Sequence, residues 1–185
     1  MNTTVKISKS ALEHFSQTCG IMVPETGGIF LADKEGVIAE FVFDRNGKCS
    51  DCGYVPDNEA LNIILVQKEQ QGVIYCGSGH SHPNCCATYP SGRYSRSIGD
   101  MASAKLNLEC NPELDRFIMF ICHSSCGGKE FEYEAYVIFR DEPEIPVKAT
   151  VVVTDDGVSS RQTTLGTCVC SRRTATKRVI SDNSQ

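Results

Sequence analysis

No apolar stretch in the 185 residues reaches bilayer-spanning length; Asn62 to Val66 and Phe117 to Cys122 both stop far short of it. Lys6 and Lys9 near the N-terminus are followed by no apolar h-region, so the start does not read as a signal peptide. Together these absences predict a cytosolic protein with no membrane association. Basic runs are missing too. The net charge is -5 and the lysines and arginines are scattered, which gives no electrostatic footprint for nucleic acid. There are no internal repeats.

What is present suits one globular domain. A hydrophobic content of 41% is ample for a buried core, and 22% charged residues is ordinary for a soluble chain. The sequence divides into a domain over 1–158 and a tail over 159–185, where Ser, Thr, Arg and Asn dominate without a period and flexibility is expected. Eleven cysteines are many. In a reducing compartment they point to metal binding, reactivity or plain burial rather than to a disulfide framework, and burial is the default for a small hydrophobe.

Periodicity and punctuation set the elements. Leu12 and Phe15 behind a Ser8 or Ser10 cap predict a short helix ending near Thr18. Pro24-Glu25-Thr26-Gly27-Gly28 leads into Ile29 to Ala32, which with Val37 to Phe43 reads as a hairpin. Gly47 to Tyr54 reads as loop. Asp57 caps a helix to about Gln71, with Ala60, Ile63, Ile64 and Gln67 on one face. Val73 to Cys76 is a strand, and Ser97 is an N-cap for a helix through Asn107. Phe117 to His123, Phe131 to Phe139 and Val147 to Thr154 are further strands. The fold class predicted is α/β, with a mixed β-sheet flanked by helices.

One constellation carries chemistry. His80 and His82 are two apart on an extended segment, so their side chains leave the same side while Ser81 faces away. Pro83 stops the segment from running on as an interior strand. A hydrolytic zinc site needs three protein ligands and one open position. Asp100 is the one carboxylate between His82 and Glu109, and it falls in the first turn of a predicted helix. Glu25, beside two glycines, is the candidate base for a metal-bound water. Each residue also has a plainer reading: Asp100 as a favourable charge at a helix N-terminus, Ser97 as a cap, Glu25 as an exposed turn residue.

In this order, Glu25, His80-Ser81-His82-Pro83 and Ser97-Ile98-Gly99-Asp100 resemble the JAMM (JAB/MPN) zinc metallopeptidases, bacterial members above all. The resemblance spans roughly residues 8 to 140. It implies an MPN-like, cytidine-deaminase-like domain and a Zn²⁺ held by His80, His82 and Asp100. Glu25 would move protons and Ser97 would bond the oxyanion. The activity implied is cleavage of a peptide or isopeptide bond after the tail of a ubiquitin-like protein, whose conjugate would be substrate and partner. Bacterial relatives often carry a Pro-Ser-x-x-Asp string. Here Pro90-Ser91 stands near that place, but residue 94 is Tyr94 and Ser-x-x-Asp recurs at Ser97, so Ser91 is the alternative to Ser97.

Other readings stay open. A non-catalytic scaffold of the same fold binds partners without metal chemistry. A cysteine-based zinc or redox module could join Cys49 and Cys52 to Cys122 and Cys126. A nucleophile drawn from Cys85 or Cys86 with His82 is conceivable.

Overall fold

The computed structural model describes residues 3–20, 24–50, 53–82, 88–92, 99–123 and 131–156. The tail expected from residue 159 lies outside them. The chain opens with β1 (Thr3–Ser8), in which Thr3, Val5 and Ile7 are buried while Thr4 and Lys6 are exposed. That alternation is the signature of a half-buried strand. Helix α1 (Lys9–Thr18) follows at once, capped by Ser8, whose Oγ accepts from Ala11 N at 3.2 Å. The predicted hairpin forms as β2 (Gly27–Ala32) and β3 (Ile38–Phe43), paired antiparallel.

Residues 47 to 54, expected to be loop, include β4 (Lys48–Ser50), which pairs with β5 (Gly53–Val55) as a separate ribbon. Helix α2 (Asn58–Glu69) has the predicted cap, with Asp57 Oδ1 accepting from Ala60 N at 3.1 Å. Its buried face differs from expectation. Leu61 and Leu65 are inward, whereas Ile63 is 58% exposed. Apolar residues surround this helix, so periodicity alone did not single out the packed stripe.

The expected open sheet is corrected to a closed barrel. Seven strands run β1-β3-β2-β6-β7-β8-β9 around one axis, with β6 (Ile74–His82), β7 (Arg116–His123), β8 (Tyr133–Phe139) and β9 (Pro146–Thr154) completing it. Closure comes from β1, which pairs in parallel with β9 from Thr3↔Ala149 to Ser8↔Thr154 and touches β3 at Ile7↔Ile38. A reading that placed no strand before α1 left the sheet open at both ends. An MPN-like open sheet flanked by helices is therefore not the architecture.

Strand β2 is buried along its whole length and divides two cores. Phe30 joins Phe15 of α1, Phe41 and Phe120 on one side; the rings of Phe15 and Phe41 meet edge-on at 5.0 Å. Ile29 and Leu31 face the other side, with Leu61 and Leu65 of α2 and with Met101, Ala104 and Leu108 of α3 (Asp100–Cys110). Strand β6 runs between β2 and β7. It carries the histidines at its C-terminal end, on the face that α3 covers. No helix among the described residues is long and apolar enough to cross a membrane.

Candidate metal centre

The site grows out of strand alternation. In β6, Ser81 is fully buried on one side, and its Oγ accepts from Thr26 N at 3.0 Å. Its neighbours His80 and His82 leave the opposite side. His80 lies in register with Gly27 on β2 and Ile121 on β7, and His82 with His123. Their Nε2 atoms approach to 3.1 Å, one nitrogen donating to the other. The predicted pair is thus convergent.

Two carboxylates meet it. Asp100, at the first position of α3, places Oδ1 3.2 Å from His80 Nε2 and Oδ2 3.4 Å from His82 Nε2. Glu25 Oε1 is 3.9 Å from His80 Nε2. Glu25, His80 and His82 are all buried, at 8%, 6% and 8% exposure, so Glu25 is not an exposed turn residue. One ligand atom from each of these three lies within 4.8 Å of the others, and the cluster is able to chelate a metal ion. All three predicted ligands and the predicted base converge here.

The segment bearing Glu25 is fixed from two directions. Glu25 N donates to Ser50 O on β4 at 3.2 Å, and Ser81 N donates to Thr26 O at 2.8 Å. Gly27 and Gly28 serve the packing rather than a turn. A Cβ on Gly27 would lie 2.4 Å from the ring of Tyr54, and one on Gly28 would lie 2.2 Å from Val42 O. Tyr54 in turn donates to Asp44 Oδ2 at 2.8 Å. The sequence reading missed the β4–β5 ribbon because its strands are three residues each, too short to declare a period.

Electrostatics separate the two carboxyl groups. Burial raises the Glu25 carboxyl, an effect that charge on His80 and His82 opposes and that on Asp100 reinforces. Burial works against ionised Asp100 as well. There the charge and hydrogen bonds of His80, the hydrogen bond of His82 and the Ser91 N–H outweigh it, holding Asp100 well below the usual range.

Ser97 lies outside the described residues. The helix it was expected to cap begins at Asp100, with Gly99 at the cap position and no side-chain cap there. Ser91 meets Asp100 instead. Of the cysteines proposed for a second metal, Cys52 and Cys126 lie outside the described residues, as do Cys85, Cys86, Cys168 and Cys170. Cys49 is exposed, while Cys19, Cys76 and Cys122 are buried as the default expectation had it. Burial pushes the Cys19 and Cys76 thiols up to about 12, the range of inert core residues.

Comparison with family models finds no match, and no curated protein is similar. Among solved structures, the chain is similar to protein DSY2949 from Desulfitobacterium hafniense, a solution structure. The TM-score is 0.58 at 14% identity, covering 82% of this chain and 93% of that one. A likeness at that identity shows the fold alone.

These findings correct the family reading. With no matching family model and a closed barrel in place of the flanked open sheet, membership of the JAMM family is not supported. The zinc peptidase or isopeptidase activity drawn from that membership loses its basis, as do deubiquitinase-like processing of a ubiquitin-like tail and the enzyme class itself. The physical reason is that a short motif constrains donor atoms, not the architecture or the substrate around them. What the residues support is a metal-chelating cluster in a barrel.

Proposed function

We propose that this domain binds a single divalent transition-metal ion, Zn²⁺ in the first instance, through His80, His82 and Asp100, with Glu25 beside the remaining position. One observation carries the reading. Donors held 2.0–2.1 Å from a tetrahedral zinc stand about 3.3 Å from one another. His80 Nε2 and His82 Nε2 stand 3.1 Å apart, and the Asp100 carboxylate sets Oδ1 3.2 Å from the first and Oδ2 3.4 Å from the second, so the carboxylate straddles the pair at that spacing. Two imidazoles with a carboxylate also suit zinc better than the all-oxygen sets preferred by magnesium and calcium.

Glu25 stands slightly apart, at 3.9 Å from His80. At that distance it is the carboxylate placed to exchange a proton with a bound water. Ser81, Ser50 and the glycines of β2 hold it there through the backbone.

The test is metal content, counted per chain after reconstitution with Zn²⁺ and gel filtration. Wild type should retain about one zinc, and His82→Ala and Asp100→Ala should lose it. Zinc retained by both variants would place the metal elsewhere. No uptake by folded wild type would end the proposal.

A further inference from the structure

The first turn of α3 raises a question of capping. Backbone N–H groups at a helix start lack intrahelical acceptors, and the residue preceding the helix normally supplies one from its side chain. Here that residue is Gly99, in the left-handed region at φ +95°, and it has no side chain to offer. The acceptors come from Ser91, eight positions earlier. Asp100 N donates to Ser91 Oγ at 3.1 Å and Met101 N donates to Ser91 O at 3.2 Å. Ser91 N returns a bond to Asp100 Oδ2 at 2.7 Å.

This arrangement is a capping box closed by a residue distant in sequence instead of within one turn. Two further features fit it. A Cβ on Gly99 would lie 2.8 Å from Ser91 Oγ and 3.0 Å from the Gly92 backbone, so the close approach requires glycine there. On the other side, Pro90 is buried, and the Tyr89 ring meets Tyr136 of β8 edge-on at 5.5 Å. Residues 89–92 therefore link β8 of the barrel to the start of α3.

We infer that the hydroxyl of Ser91 is the positioning group of the metal centre: by accepting from Asp100 N it fixes the start of α3 and with it which way the Asp100 carboxylate points. With Oδ2 held by the Ser91 N–H, Oδ1 remains turned to His80. The hydroxyl fixes the backbone from which that carboxylate hangs. This role rests on the metal-binding reading above. It requires no contact between Ser91 and a molecule bound to the metal.

The experiment measures Zn²⁺ affinity by competition with a chromogenic chelator in wild type, Ser91→Ala, Ser91→Thr and His82→Ala. Each is also loaded with Co²⁺ for its visible spectrum. Ser91→Ala should weaken zinc about 10-fold, in the range found for groups that orient a ligand, and should alter the Co²⁺ bands. Ser91→Thr keeps the hydroxyl and should restore both, a rescue that a merely space-filling role would not give. His82→Ala separates the two claims. Unchanged affinity and spectrum in Ser91→Ala, with zinc lost in His82→Ala, overturns the positioning role alone. Zinc retained in His82→Ala overturns the metal site and this role with it.

Discussion

Ser81→Ala removes a single oxygen from a fully buried position between the two histidines, and the consequence can be worked from its partners. Ser81 Oγ accepts from Thr26 N at 3.0 Å and donates to Thr26 O at 3.4 Å. The Thr26 carbonyl keeps a second donor, Ser81 N at 2.8 Å, so it stays satisfied in the variant. The Thr26 N–H does not. Thr26 is 4% exposed, which leaves that donor without water to turn to. A buried donor stripped of its partner costs about 1–3 kcal/mol, and the small void left by one oxygen adds little. Taking about 2 kcal/mol and a urea m-value of about 2 kcal/mol/M, the unfolding midpoint should fall by about 1 M. Equilibrium urea unfolding followed by circular dichroism, on metal-free protein, reads this directly. A loss below about 0.5 kcal/mol would refute the reasoning, because it would mean that the Thr26 N–H finds another acceptor and that this tie does not hold the Glu25 segment.

Two further outcomes follow from the same structure. In metal-free protein, Glu25→Gln should raise stability at pH 7 relative to wild type, and the gain should close as pH falls. The Glu25 pKa is raised above 4.5 in the fold, so its favourable contribution is full below the unfolded value and lost as pH rises through the folded one. Thermal melts across pH 4 to 8 check it, and a constant difference would contradict the sign. Arg140→Ala should destabilise by about 1.5 kcal/mol, since its guanidinium donates to Leu108 O in the last turn of α3 and to Asn111 O and Leu114 O just after it. Chemical unfolding measures this, and an unchanged midpoint would show those carbonyls to be equally well served by water.

The parts of the molecule that sequence could reveal are those written in short-range order. Ser8 and Asp57 sit next to the helices they cap, and the β2–β3 hairpin joins segments separated by a tight turn. His80 and His82 converge because alternation along one strand requires it. The barrel's closure is of another kind. Thr3 meets Ala149 and Ser8 meets Thr154, pairings that bridge almost the whole described chain. Thr3, Val5 and Ile7 alternate with Thr4, Lys6 and Ser8, a pattern too short to be read as a strand directly before α1, and nothing local names its partner.

The candidate site divides along the same line, and this explains why a motif whose side chains do come together misread the fold around them. A Ser-x-x-Asp string predicts a cap three residues before the aspartate, because within one helical turn that is where a hydroxyl reaches the first N–H groups. The geometric requirement is only that some acceptor reach them. Here Ser91 does so from nine positions before Asp100, and the close approach requires glycine at Gly99. Likewise, two imidazoles and the carboxylates beside them come together at the end of β6 in a closed barrel as readily as they would in an open sheet. The convergence of such side chains is a local matter of alternation along one strand. The scaffold is fixed by which strands pair, and a pattern that reads the first carries no information about the second.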